Sequence, residues 1–161
     1  MTIVLPFIPP SLNRVAGRGP YNYRQAKAEI TEQVRLLCLN QRPKKPIDKA
    51  DVIIRYYFPD KRRRDPDNYS GKFLLDGLTK AGVIADDSFG RITLRLEAYC
   101  DPKRPRTEIE VKENVRADWI FDSEWWDYYC TRCNGRIGNI EKYRFCPHCG
   151  ADMRGDNDDR P

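Results

Sequence analysis

The chain has 161 residues and a mass of 18.9 kDa, room for one ordinary domain and one small module. With 40% hydrophobic and 33% charged residues it has the composition of a folded chain, which excludes a collagen, a coiled coil and a wholly disordered protein. No apolar run approaches the ~20 residues of a membrane-spanning helix, and the opening MTIVLPFIPP lacks the basic region of a secretory signal.

In chain order, Thr2–Ile8 reads as a strand ended by Pro9 and Pro10, and Ser11–Tyr21 as a glycine- and proline-bearing loop. Tyr23–Asn40 is helical in period: Ala26, Ile30, Val34, Leu37 and Cys38 recur at three- and four-residue steps among charged residues. After the connector Arg42–Lys49, the β-branched and aromatic run Asp51–Phe58 predicts a strand. Asp67 then suits the N-cap of a helix that buries Phe73, Leu74, Leu75 and Leu78 and runs to about Lys80, ended by Gly82. Beyond a turn at Ala85–Ser88, Arg91–Cys100 and Arg106–Lys112 alternate apolar with polar residues. The prolines between them predict a hairpin. The order β-α-β-α-β-β over 1–113 predicts an α+β domain with a mixed four-stranded sheet and two helices.

Net charge divides the chain. The overall +5 comprises +7 over 1–113, from 22 Lys and Arg against 15 Asp and Glu, and −2 over 114–161, from 7 against 9. The basic surplus puts an anionic partner on the first domain. Residues 114–127 read as an acidic, aromatic linker, 128–154 as a cysteine module and 155–161 as a polar, disordered tail. No internal repeat is present.

Chemistry concentrates in Arg62–Ser88. Asp65 and Asp67, two residues apart where the chain enters a helix, can aim both carboxylates at one point. The repulsion between them is relieved by a hard divalent cation such as Mg²⁺. Asp87, after the helix, returns toward the strand end from which Asp65 left. Lys61, Arg62, Arg63 and Arg64 suit the phosphates of a nucleic acid, and Lys72 suits charge developing at phosphorus. Each residue also has a plainer reading. Asp67 serves equally as a helix cap, Asp86-Asp87-Ser88 as a solvated turn, and the cations as an exposed surface.

The run RRRDPDNYSGKFLLDGLTKAGVIADDS resembles the signature of the RusA-type Holliday junction resolvases, crossover-junction endodeoxyribonucleases of bacteria and prophages. The matching elements are the Arg-Arg-Asp-x-Asp-Asn start, Asp76-x-Leu78-Thr79-Lys80-Ala81-Gly82 and Asp86-Asp87; the opening LPFIPPSLNR is similar too. The likeness spans roughly residues 1–113. It implies a Mg²⁺-dependent homodimer in the cytoplasm, associated with the nucleoid, that resolves four-way DNA junctions in recombination and repair by paired symmetric nicks. The family's three catalytic, metal-binding aspartates fall on Asp65, Asp67 and Asp87. Its lysine falls on Lys72 once one extra residue is allowed after Asp67. Asn13 and Arg14 join Lys61–Arg64 as candidate DNA contacts. The competing reading is a non-catalytic branched-nucleic-acid-binding module.

Cys130, Cys133, Cys146 and Cys149 form two C-x-x-C pairs twelve residues apart, a spacing that resembles a zinc ribbon with a closed, structural four-thiolate site. Gly150 permits the tight turn after the second pair, and His148 is expected to point outward as a spectator. Arg132, Arg136, Lys142, Tyr143 and Arg144 could grip DNA, or the ribbon could dock a protein. Trp119, Trp125, Trp126, Tyr128 and Tyr129 are expected to pack the ribbon against the first domain. Cys38 and Cys100 are expected to be buried, reduced thiols.

Overall fold

A strand that is apolar on one face and polar on the other needs a partner along each edge and a cover for its apolar face. Ala50–Phe58 (β2) is such a strand, with every second residue from Ala50 to Phe58 buried. In the structure, a computed structural model that describes residues 1–17, 19–140 and 143–153, this strand lies inside a four-stranded mixed sheet. The other strands are Thr2–Leu5 (β1), Ile92–Cys100 (β3) and Arg106–Glu113 (β4), and the order is β1-β4-β2-β3. β3 runs parallel to β2, whereas β4 is antiparallel to both β2 and β1. The chain divides into two units, Met1–Glu113 and Asn114–Pro161. Lys142 and the tail 155–161 lie outside the described residues.

The first unit covers one face of its sheet with Pro20–Cys38 (α2) and Lys72–Lys80 (α3). Ile30, Val34 and Cys38, spaced by four, form the buried stripe of α2. Phe73, Leu74, Leu75 and Leu78 do the same for α3. The helices approach closely at Gly77, where a Cβ would sit 2.6 Å from Val34 Cβ and 3.3 Å from the Thr31 carbonyl oxygen. The opposite face carries a polar lattice: Arg55 bridges Glu97 of β3 at 2.8 Å and Glu110 of β4 at 2.8 Å, and Arg106 stacks over the Tyr57 ring at 3.6 Å.

Four expectations are corrected. β3 and β4 form no hairpin. β2 lies between them, and the Asp101 amide N–H donates to the Phe58 carbonyl at 2.7 Å as the proline loop rounds the end of β2. The physical reason is that β2, with one face buried from Ala50 to Phe58, takes a partner on each side. A third helix, Leu12–Ala16 (α1), replaces part of the expected loop, started by Ser11, whose Oγ accepts from the Arg14 N–H at 3.3 Å. Asp67 does not cap α3. It sits in a separate 3-10 turn, Pro66–Tyr69, and α3 begins after Gly71. Gly71 has φ +77°, which breaks the helix, and a Cβ there would fall 2.4 Å from Ile54 Cδ1, so only glycine fits. Cys100, at the end of an edge strand, is exposed rather than buried.

The second unit is a three-stranded antiparallel sheet of Trp119–Asp122 (β5), Asp127–Cys130 (β6) and Arg136–Ile137 (β7), ordered β5-β6-β7. The segment 114–127, expected to be a linker, is part of this unit. It supplies β5, and the Ala117 N–H donates to Asp152 O at 3.0 Å while the Asp152 N–H donates to Val115 O at 2.8 Å. Its strand does not alternate: Ile120 and Phe121, adjacent in sequence, are both exposed. Trp119 packs on Ala117, Cys130, Cys146 and Ala151 within the unit, whereas Trp125 and Trp126 are exposed. No helix among the described residues is long and apolar enough to cross a membrane.

Candidate functional site

The segment from β2 to α3 carries most of the candidate residues of the first unit. Tyr69 wedges its ring against Tyr56 at 5.6 Å and Phe58 at 5.1 Å, which fixes the 3-10 turn on the sheet. Asp65 immediately precedes that turn and Asp67 lies in it, so the two acids are neighbours at one loop. Asp65 Oδ1 accepts from Arg63 Nε at 3.3 Å, and Asp67 Oδ1 accepts from the Asn68 N–H at 2.8 Å. Asn68 in turn accepts the Asn13 N–H on its Oδ1 at 3.3 Å, which ties α1 to the turn. Lys72, exposed at the first position of α3, borders the same small pocket as Asn68, Pro10 and Tyr56.

The basic run is not uniform. Arg62 and Arg63 have side chains 86% and 91% exposed, open to a phosphate. Arg64 is only 19% exposed, because it holds the loop together. Its Nη2 donates to Asp60 Oδ1 at 2.9 Å, its Nη1 donates to the carbonyls of Asp60 and Arg62, and its guanidinium lies 4.1 Å from the Phe58 ring centroid. Asp60 is the residue that sequence reasoning passed over. Its carboxyl is held below the usual range by the Arg62 amide and the Arg64 guanidinium. The signal was the i, i+4 spacing to Arg64, legible only had the loop been read as a closed turn. Arg14 borders a cleft of about 390 Å³ that it shares with Ile8, Asn22, Gln25 and Glu29.

Asp87 is placed on a different segment, an exposed turn before β3. Its charge acts on Lys27, whose ammonium is held above its ordinary pKa first by Asp76, 2.9 Å away, and to a smaller degree by Asp87. Next to it, Asp86 is held down by the Ser88 hydroxyl and nearby backbone amides, the pattern of a self-closed turn. Among the described residues, the one group of three or more His, Cys, Asp or Glu placed to hold a metal ion is the cysteine set. The carboxylates of Asp65, Asp67 and Asp87 are not in that set. Asp65 and Asp67 take local partners, Arg63 and Asn68.

The second unit does assemble a ligand set. Both C-x-x-C turns close in the same way: the Asn134 N–H donates to Cys130 O at 2.9 Å and the Gly150 N–H to Cys146 O at 2.8 Å. Asn134 and Gly150, each directly after the second cysteine, have positive φ of 58° and 71°. The four sulfurs lie within 4.8 Å of one another, and the pairs Cys130–Cys149 and Cys133–Cys146 are each 3.8 Å apart. Disulfide sulfurs would sit at about 2.05 Å. Tetrahedral thiolates at about 2.3 Å from a zinc ion are separated by about 3.8 Å.

The electrostatics agree with the geometry. The Ala151 amide holds the Cys149 thiol down to about 6. The Gly135 amide N–H favours the Cys133 thiolate, yet burial and the adjoining sulfurs push that thiol up to about 12. Four thiols this close do not all ionise without a cation, so the cluster is built for a thiophilic metal such as zinc. His148 is outside the set; its Nε2 is 3.2 Å from Arg136 O and its ring covers Gly135. Arg136 is ion-paired with Asp122 and Asp127, and Arg132 Nη1 donates to Cys149 O at 3.3 Å. No protein-family model matches the chain, and no curated protein matches it significantly.

Proposed function

We propose that the first unit is a RusA-type nuclease that hydrolyses DNA phosphodiesters at four-way junctions, with Mg²⁺ as its activator. The second unit is a zinc ribbon whose ion is structural. The observation that carries the first reading is the company kept by one loop: two neighbouring carboxylates, Asp65 and Asp67, beside the exposed guanidiniums of Arg62 and Arg63 and followed by Lys72. Cleavage of a phosphodiester needs cations that seat the flanking phosphates, acids at the scissile link and a positive group near the phosphorus oxygens. Arg62 and Arg63 fill the first role, Asp65, Asp67 and Asp87 the second and Lys72 the third. A two-fold dimer presents two such loops to a junction that is itself two-fold symmetric.

The local partners already taken by Asp65 and Asp67, Arg63 and Asn68, favour a second reading, a module that binds branched DNA without cutting it. A labelled synthetic four-way junction, incubated with the protein with and without added Mg²⁺, separates the two. The expected result is paired nicks that need Mg²⁺ and vanish in Asp67→Asn, with junction binding retained. Binding that weakens with salt but gives no product under any condition favours the second reading. Nicking by Asp67→Asn at the wild-type rate removes the acid pair from the chemistry.

A further inference from the structure

An aromatic side chain in a folded domain normally finds cover, because each one removes a large apolar area from water. In the first unit Tyr23 meets Phe73 at 5.3 Å, Tyr57 stacks on Tyr99 at 5.2 Å, and Phe7 packs against the core. Phe89 does none of this. It is 105% exposed, as open to solvent as in an extended chain. The turn that carries it is nevertheless closed. The Ser88 carbonyl accepts the Arg91 N–H at 2.9 Å and the Ile92 N–H at 3.0 Å, which puts Phe89 and Gly90 at the two central positions. Below the turn, the Ala85 N–H donates to Ile47 O at 2.9 Å, the Ala50 N–H donates to Arg91 O at 2.9 Å, and Arg91 is ion-paired with Asp48. A bare ring is thus held out on an anchored support.

We propose that Phe89 is a stacking residue that receives an unpaired nucleobase at the branch point of DNA. This deepens the nuclease reading and rests on it in one respect, that branched DNA is what the first unit binds. Three features point to a base. The turn continues the ring with no other apolar side chain: Asp86, Asp87, Ser88, Gly90 and Arg91 are polar or glycine, and all are exposed. A single flat apolar face matches a purine or pyrimidine, each of which has a face of the same kind. The charge pattern is the second feature. The net +7 over residues 1–113 draws a polyanion, while the carboxylates of Asp86 and Asp87 beside the ring repel its phosphates. The part of the DNA that meets the ring is therefore the base. Position is the third feature. Phe89 follows Asp87 by two residues, so their Cα atoms are at most about 7.6 Å apart. A base seated there belongs to a nucleotide at, or next to, the link assigned to Asp87.

Stacking reads no sequence, but it selects bases that have lost a neighbour, as those at a branch point have. A paired duplex offers the ring nothing unless a base step is opened first. Phe89 therefore sets preference for branched over linear DNA, whereas the exposed guanidiniums of Arg62 and Arg63 serve the phosphates of both alike.

The test is binding of the full, zinc-loaded chain, without added Mg²⁺, to a labelled synthetic four-way junction and to a duplex of the same arm sequence. Phe89→Ala is expected to weaken junction binding about 10-fold and to leave duplex binding unchanged. No charge is removed, so the salt dependence of junction binding is expected to keep its wild-type slope. Phe89→Trp is expected to retain junction affinity and Phe89→Leu to lose it, since leucine is apolar but has no ring face. A 5-iododeoxyuridine at the branch point is expected to photocross-link to Phe89, and one in the middle of an arm is not. The side chain packs on nothing, so all variants are expected to keep the wild-type circular dichroism spectrum. Equal junction affinity of Phe89→Ala and the wild type overturns the proposal, as does full affinity in Phe89→Leu or a branch-point cross-link confined to other residues. A Phe89→Ala chain whose solution mass falls while its junction affinity holds makes the ring a contact between copies, and overturns it too. A junction bound through Phe89 but never nicked in Mg²⁺ leaves the stacking residue standing and removes the nuclease. Mg²⁺-dependent nicking by a Phe89→Ala chain of undiminished junction affinity keeps the nuclease and removes the stacking residue.

Discussion

The first unit buries a continuous cluster that runs from Ile3 and Leu5 through α2, β2 and α3 to Ile109 and Val111. The buried apolar cluster of the second is four small side chains, Ala117, Cys130, Cys146 and Ala151, and two of those belong to the four-cysteine set. A domain of some 110 residues can remove enough apolar surface from water to offset its conformational entropy; a unit of under 50 cannot do so by burial alone. The comparison sets two solutions to one problem side by side in a single chain, hydrophobic closure and a four-cysteine cluster placed to hold a metal ion. It also assigns each solution its own vulnerability.

The largest expected effect is metal loss. Chelation of zinc, or Cys130→Ser, is expected to unfold the second unit while the first keeps its cooperative melt. All three tryptophans, Trp119, Trp125 and Trp126, belong to the second unit, so their emission reports it selectively and far-UV circular dichroism of α2 and α3 reports the other. If both signals collapse together, the two units are not independent in stability. Leu78→Ala, in the centre of the first core, is expected to cost about 2–5 kcal/mol in denaturant melts of the first unit and to leave tryptophan emission untouched. Gly77→Ala places a methyl group 2.6 Å from Val34 Cβ and is expected to cost about 1–3 kcal/mol in the same melts.

The smallest effect is that of acid. The carboxyls of Glu110, held down by Lys112 and Arg55, of Glu97, held down by Tyr99 and Arg55, and of Asp101, held down by Arg106, all have folded pKa values below the ordinary ones. Depressed groups favour the fold above their ordinary pKa and cease to do so as pH falls through the folded value. The melting temperature of the first unit is therefore expected to decline modestly below about pH 4, and to decline less in Arg55→Met, whose carboxylate partners are already released. An equal acid response in that variant would remove the Arg55 lattice from the account.

Much of this comparison is legible in the residues. The period-two runs and the four-residue spacing of Ile30, Val34 and Cys38 announce their elements because burial writes itself into local order. The C-x-x-C turns announce a metal because each needs only its own few residues to aim two sulfurs. What escapes is long-range. Two alternating strands separated by prolines look like a hairpin unless one knows that β2 takes the place between them. The start of α3 depends on Gly71 meeting Ile54, a contact seventeen residues apart in sequence. The acids of the candidate site were legible as neighbours, Asp65 with Asp67. The capture of Arg64 by Asp60 and Phe58 depends on how the loop returns.

Gly71 has a practical corollary for anyone reshaping this protein. Tyr69 and Gly71 nail the C-terminal half of the connecting loop to the sheet, so added residues there would lever α3 off its seat. On the other side of Asp65, between Pro59 and Arg63, the side chains of Arg62 and Arg63 stand clear of the sheet. The side chain of Arg62 can be exchanged there while the loop keeps its mooring, provided Asp60 stays to hold Arg64 and Arg63 stays beside Asp65.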